Sequence, residues 1–591
     1  MTAQSLPDVG APPRRWSRPT RLSFLVFAAK VAVFRARRVA FDLLAGAPRL
    51  TLVEADGFTV PAGASLTPLW SDQDLAERDL QLGKVQNLRV AGRALDGLVL
   101  PAGAVFSFWR QVGPPIAARG FVPGRMLQQG CMVEAVGGGL CQLSNALYEA
   151  ALQAGCRIVE RHAHSAVVPG SAAAIGRDAT VAWNYVDLRF TCDHDLRLAV
   201  RMDQDSLDVR LLARAGGAAP VSRPEPQGFV PPAPSGVRSC GGCDETSCFL
   251  HRPGDEGAAS SGRRVFLVDE AWPEFRAYVR SVRRAEDRLG RPLDGAALGL
   301  ARHAWEAQGF DRVAGAPVAA LCRALALRVA GHQGAARRAA ELDAARRIAA
   351  SLARLLTPDV TAVTLAQSYL PHLWREGHLG GREFSVLMTR LPMAVLQSRL
   401  DRAAEAHPDR PSLADFRAPA WLARAEEEAL AQAARIVTPH AEIAALFGSR
   451  AVHLPWATPP TADLRVGPVR RIAFAGPTGA RKGAFAVRQA AIALGLEVMP
   501  LGAELEGPDF WRGVAILPAG DWTAVDAVVQ PALVEDQPRR LLAALAAGLP
   551  VIASAACGLG PRSGLTLVAP DAPDALIEAL RGMPSSVDDA R

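Results

Sequence analysis

Apolar residues recur at Leu143, Leu147, Ala151 and Ala154, a helical spacing that predicts an amphipathic helix from about Cys141 to Gln153, closed by Gly155. Three glycines, Gly137 to Gly139, deliver Cys141 to the first turn of that helix. Alternating and continuous apolar runs predict strands at Thr180–Phe190, near Leu196–Met202, at Arg263–Asp269 and at Arg470–Gly476. Between the last two runs the pattern is mostly an Ala/Arg/Leu helix rhythm. Beyond Gly476, helix and strand patterns alternate to the end, which implies a parallel, doubly wound sheet. Ligands of such sheets bind in the cleft at the carboxyl ends of the strands.

With 591 residues the chain exceeds one ordinary core. Composition changes divide it into a basic, disordered tail (1–20), an α+β domain (21–213), a Pro/Gly-rich linker with a cysteine cluster (214–262), a helix-rich α/β lobe (263–460) and a second α/β lobe (461–591). Hydrophobic residues make up 49% and charged residues 21%, so the remainder reads as folded. The formal charge of +7 is dispersed, with no long basic block beyond the first forty positions, and nucleic acid is excluded as a partner. Arg14, Arg15, Arg18 and Arg21 precede the apolar run Leu22–Ala29, but Lys30 interrupts it and Arg35, Arg37 and Arg38 follow. A bilayer span needs about twenty apolar residues. The expectation is therefore a cytoplasmic protein, peripheral at the inner membrane, whose first segment touches an anionic lipid surface.

Two clusters carry chemistry. At a helix N-terminus, unpaired N–H groups and the macrodipole favour a thiolate at Cys141. Downstream, His162 or His164 can serve as base, Asp178 or Asp187 can orient it, and Gln142 can supply an oxyanion donor. The alternatives are a buried structural cysteine and a metal site. Second, Cys240, Cys243, Cys248 and His251 have the spacing of a tetrahedral zinc knuckle, with an iron–sulfur cluster as the competing cofactor.

Residues 80–190 resemble the VanW family. The matching pieces are Asn87, Asp96-Gly97, Pro101-Ala-Gly-Ala-Val-Phe106-Ser107-Phe108-Trp109, Gly113, Gly120-Phe121, Gly137-Gly-Gly-Leu-Cys141-Gln-Leu-Ser144-Asn145, His164 and Asp178-Ala-Thr180. That resemblance implies a link to envelope or peptidoglycan precursors. The Cys, His, Asp order also resembles transglutaminase-like and papain-like folds. Farther on, Leu545-Ala-Ala-Gly-Leu-Pro-Val-Ile-Ala-Ser554, Lys482-Gly483 and Glu535 resemble the sugar-nucleotide half of GT-B glycosyltransferases. The likeness implies that Arg481 and Lys482 hold the diphosphate of a nucleotide-sugar and Glu535 holds its sugar. The chain departs from that family at Pro477, where an arginine is usual, and at Ala543, where a second glutamate is usual; Arg481, Arg539 or Arg540 could compensate. His372 and His440 lie near where the first lobe would face the cleft. The implied partners are a nucleotide-sugar and an envelope precursor. The expected whole is multidomain: an α+β VanW-type domain followed by α/β GT-B-like double Rossmann-type domains.

Overall fold

A computed structural model describes residues 20–45, 47–52, 57–70, 78–128, 131–164, 177–215, 238–239, 245, 247–249, 262–331, 334–460, 462–465, 467–520 and 524–583. The basic tail 1–19 and nearly all of the linker lie outside them. Two compact units result: residues 1–263 with the short returns 357–361 and 376–382, and the rest of the chain. Among the described residues, no helix is long and apolar enough to cross a membrane.

In the first unit, α1 (Arg21–Ala45) is followed by β1 (Phe58–Pro68), α2 (Arg78–Leu95), β2 (Val99–Leu100), β3 (Val105–Ser107), α3 (Phe108–Val112), β4 (Pro123–Gln128) and β5 (Cys131–Val136). Then come α4 (Cys141–Gln153), β6 (Arg157–Glu160), β7 (Arg189–Thr191), β8 (Leu196–Met202), β9 (Ser206–Arg214) and the short β10 (Arg238–Ser239). They form three small sheets, ordered β1-β9-β8-β2, β10-β5-β4 and β3-β7-β6. Strand β8 alternates buried and half-buried positions, the signature of a sheet with one face on a core. That core includes Leu143, Leu147 and Ala151 of α4 together with Leu88, Phe106, Phe190 and Leu198. The predicted helix at Cys141–Gln153 is present, and Gly155 follows it with φ 69°.

The predicted strand at Thr180–Phe190 is not. Only Arg189–Thr191 is extended into a ladder, and Ala182 to Val186 fold back on each other through a single bridge. Apolar content suggested a strand, but those aromatics serve a turn: Trp183 meets Trp109 edge to face with centroids 5.4 Å apart.

The second unit contains two sheets. One has the order β13-β12-β11-β14-β15-β16-β17, with β11 (Arg263–Leu267), β12 (Arg288–Arg291), β13 (Arg312–Gly315), β14 (Val360–Ala366), β15 (Glu383–Leu387), β16 (Arg435–Thr438) and β17 (Ala451–His453). The other has the order β20-β19-β18-β21-β22-β23, with β18 (Arg471–Phe474), β19 (Glu497–Pro500), β20 (Ala515–Ile516), β21 (Ala527–Gln530), β22 (Val551–Ser554) and β23 (Leu565–Val568). Every neighbouring pair in the second sheet is parallel. Strands β21 and β22 are buried throughout, as a sheet covered on both faces demands. In each sheet the order reverses once, between β11 and β14 and between β18 and β21. These switch points open a crevice at the carboxyl ends of the strands, where doubly wound folds bind ligands.

Candidate functional site

In the first unit, Cys141 is the first residue of α4. The glycines before it are needed for close approach: a Cβ on Gly138 would sit 2.3 Å from the Gly124 carbonyl oxygen, and one on Gly139, whose φ is 92°, would sit 2.2 Å from Lys84 Cγ. The Cys141 sulfur is half-buried, 3.5 Å from Thr180 Oγ1 and 3.8 Å from the Val181 carbonyl oxygen. The His164 imidazole lies close enough to act on that thiol. The His164 ring is held from behind, Nδ1 lying 2.7 Å from Asp178 Oδ2, which also accepts the His164 backbone N–H at 2.6 Å. With Nδ1 committed to Asp178, Nε2 is the ring nitrogen left to serve the sulfur. Asp178 is buried, and its other oxygen accepts from Arg161 Nη2 at 2.9 Å. Asn145 of α4 braces the same loop by accepting the Ala179 N–H at 2.7 Å.

The electrostatics follow from that geometry. Burial raises the Cys141 thiol, but hydrogen bonding and charge from His164, then hydrogen bonds from Thr180 and Val181, outweigh it, and the net direction is down. Burial opposes the His164 cation, yet the bond to Asp178 and the pairing with Cys141 raise it to about 10. Both directions favour a thiolate beside an imidazolium.

The structure separates the candidates that sequence left level. Asp187 is buried elsewhere, accepting from Ser107 Oγ at 2.6 Å, Trp109 N at 3.1 Å and Arg189 Nε at 2.9 Å. His162 faces Glu160 at 3.3 Å. The Gln142 amide donates to Thr67 Oγ1 at 3.0 Å and the Pro68 carbonyl at 2.8 Å, away from the sulfur.

In the second unit, Arg481 and Lys482 follow β18 on a short 3-10 turn, and Glu535 follows β21. Lys482 Nζ lies 2.9 Å from Glu535 Oε2 and donates to the Val534 carbonyl at 3.1 Å; both side chains are buried. Although burial alone would raise it, Lys482 and the Gln537 N–H hold the Glu535 carboxyl at about 2. The pair lines a cavity of about 460 Å³ with Gly476, Gln530 and Arg540, directly at the β18/β21 switch point. Cationic side chains outnumber carboxylates there by six to four. A second cavity, of about 730 Å³, lies at the β11/β14 switch point and includes Asp269, His303, Arg323 and Ser368.

Two of the proposed compensating arginines are committed. Arg539 clasps Glu274 with both nitrogens, at 2.8 and 2.6 Å, and stacks on Trp272 and Trp456. Arg540 donates to the Ala475 carbonyl at 2.7 Å. His440 caps the helix Ala441–Phe447, with Nε2 3.1 Å from the Glu535 carbonyl, and His372 is buried beside Trp421; neither lines the two cavities. Sequence reasoning passed over Arg338, which lines both cavities. It sits in an Ala/Arg-rich helix, where arginine ordinarily marks a solvated face.

Cys240, Cys243 and His251 lie outside the described residues, and Cys248 alone of that set is described. Among the described residues, no group of three or more His, Cys, Asp or Glu side chains could hold a metal ion.

The VanW like protein family model matches residues 83–212, and that stretch is a VanW-family domain. It is similar to the uncharacterized protein YoaR of Bacillus subtilis (strain 168), 35% identical over 115 residues, or 20% of this chain and 37% of that protein. It is also similar to the vancomycin B-type resistance protein VanW of Enterococcus faecalis (strain ATCC 700802 / V583), 32% identical over 132 residues, or 22% and 48%. The match thus spans less than half the length of these relatives. Among solved structures, the calicheamicin glycosyltransferase CalG4 is similar over 56% of this chain and 91% of its own, with 12% identity and a TM-score of 0.28. Arabidopsis thaliana UGT89C1 complexed with UDP-L-rhamnose is similar over 54% and 90%, with 12% identity and a TM-score of 0.29. The two Rossmann-type lobes are read from their own parallel sheets and strand order.

Proposed function

We propose that the second unit transfers a sugar from a nucleotide-sugar donor to an envelope glycoconjugate. The observation carrying this is the Lys482/Glu535 pair lining a cavity at a topological switch point. In this reading Lys482 and Arg481 neutralise the diphosphate as its bond to the anomeric carbon breaks, while Glu535 accepts hydrogen bonds from sugar hydroxyls. The likeness of Lys482-Gly483, Glu535 and Leu545–Ser554 to GT-B glycosyltransferases supports the choice of donor, and the vancomycin-resistance relative supports an envelope acceptor. Incubating the full chain with radiolabelled nucleotide-sugars and envelope lipids tests it: one donor should label a lipid or glycan acceptor, and absence of both transfer and nucleotide binding across the panel overturns it.

A second reading concerns the VanW domain, and the contact of Cys141, His164 and Asp178 favours it. Cys141 attacks an amide carbonyl, the C–N bond breaks, His164 hands its proton to the leaving amine, and water or an acceptor amine then releases the thioester.

The proposed location is cytoplasmic and peripheral at the inner membrane. Helix α1 supports it by exposing Leu22, Leu25, Val26 and Val33 beside basic residues, while farther along Arg35 bonds the Trp183 carbonyl at 2.6 Å. The chain should co-sediment with anionic vesicles at low salt and lose most of that binding near 0.5 M salt or on neutral vesicles. The double variant Leu22→Asp/Leu25→Asp should fail to bind; if it binds as wild type does, α1 is not the contact.

A further inference from the structure

Arg338 belongs to the first turn of α7, the 18-residue helix Ala335–Leu352 of the second unit, in which α5 (Pro273–Val282) and α6 (Pro317–Val329) precede it. It is only 6% exposed, yet Nε and Nη2 have no hydrogen-bond partner among the described residues. Its nearest carboxylate oxygen is Glu341 Oε2, 3.7 Å from Nη1, and Glu341 is already engaged by Arg337 at 3.2 Å. Such a cation is costly to bury unless something completes its hydrogen bonds. Burial and then the like charge of Arg390 depress Arg338 to about 10, and the carboxylates of Glu341, Glu426 and Asp536 offset that only in part.

The surroundings indicate what completes its hydrogen bonds. Phe416 has a φ of 65°, a left-handed backbone that a phenylalanine rarely adopts. Its ring lies 4.6 Å from the Arg338 guanidinium and 5.3 Å from that of Arg481, so one strained residue holds two arginines from different lobes against a single cavity. Lys482 lines the same cavity. At Pro477, the position from which the resemblance would project an arginine, there is no basic group.

We infer that Arg338 is a diphosphate-binding residue of the cleft, supplying from the first lobe the contact that Pro477 cannot make in the second. The inference rests on the nucleotide-sugar reading and names the residue that grips its leaving group. The unmade bonds at Nε and Nη2 are two donors in the planar fork that matches phosphate oxygens. The Phe416 ring packs against that fork at 4.6 Å, and six cationic side chains against four carboxylates leave the hollow suited to an anion.

Calorimetric titration of the full chain with inorganic pyrophosphate and with UDP tests this, using wild type, Arg338→Met, Arg338→Lys and Lys482→Ala. Wild type should bind both, and Arg338→Met should lose roughly 10- to 100-fold in affinity for each, the span expected of two charge-assisted bonds. Arg338→Lys should recover only part, since an ammonium lacks the fork. Melting temperature supplies the independent reading: Arg338→Met should melt no lower than wild type, because an unsatisfied buried charge is gone, and pyrophosphate should stabilise wild type more than either Arg338 variant. Equal pyrophosphate affinity in wild type and Arg338→Met, or a clearly lower melting temperature for Arg338→Met, overturns the inference. If UDP binding also depends on Lys482, the sugar-transfer reading survives that failure. Pyrophosphate bound through Arg338 without sugar transfer from any donor would overturn the transfer reading and leave the anion site standing.

Discussion

Iodoacetamide will modify Cys141 of the native chain at a lower pH than an ordinary thiol, and His164→Ala will slow that modification by roughly 10- to 100-fold, with peptide mass spectrometry following the site. The sign comes from opposed effects. Burial pushes the thiol up, and the hydrogen bond and charge of His164 together with the hydrogen bonds of Thr180 and Val181 outweigh that push. Removing the imidazole removes the leading lowering contribution, so the onset of alkylation must move toward alkaline pH. Cys322, which is exposed, serves as the internal comparison because no described histidine contact is altered there. The upper edge of the window belongs to His164, which keeps its proton up to about 10. Any acyl transfer should therefore rise as the Cys141 thiolate forms and fall as pH passes about 10. Asp178→Asn removes the leading contribution that raises His164, so the falling limb should move to lower pH while Cys141 stays in place. Cys141→Ala should abolish both the labelling and the transfer, a loss of at least about 10³-fold. Alkylation of Cys141 that tracks an ordinary thiol in wild type and His164→Ala alike would reduce the triad to packing.

How much of this was legible beforehand depends on the range of the interactions involved. Helix α4 and the placement of Cys141 could be read because both are local: a glycine run, then apolar residues every third or fourth position. The parallel strands Arg263–Leu267 and Arg471–Phe474 were legible for the same reason. The choice between Asp178 and Asp187 was not, since it is settled by Ser107, the Trp109 amide and Arg189, which occupy Asp187 from elsewhere in the chain. The turn at Ala182–Val186 defeated the strand pattern because its aromatics find partners across the domain. Arg338 escaped notice because helical rhythm says which way a side chain points and not what covers it. Its burial is a product of Phe416, 78 positions later in sequence.

Lys482→Met should cost sugar transfer on the order of 10³-fold, and a second substitution should separate catalysis from stability. In the native chain Lys482 does two things at once: it lines the cavity and it neutralises the buried Glu535 at 2.9 Å. Breaking a buried pair by removing one partner costs about 3–5 kcal/mol, because the remaining charge has lost its compensation. Lys482→Met should therefore unfold at lower temperature, and Glu535, held near 2 in wild type, should take up protons at higher pH. The wild-type pair stabilises the fold above the unfolded glutamate value of about 4.3 and loses that contribution as pH falls toward 2, so wild type should show an acid limb across that window that flattens or reverses in the variant. Adding Glu535→Gln removes the orphaned carboxylate, and the double variant should recover much of the melting temperature. Transfer should not return with it, since neither a methionine nor a glutamine offsets the charge of a departing diphosphate. Recovery of both together would mean that Lys482 serves the fold alone, and the cavity at the β18/β21 switch point would then have to bind its donor through other groups.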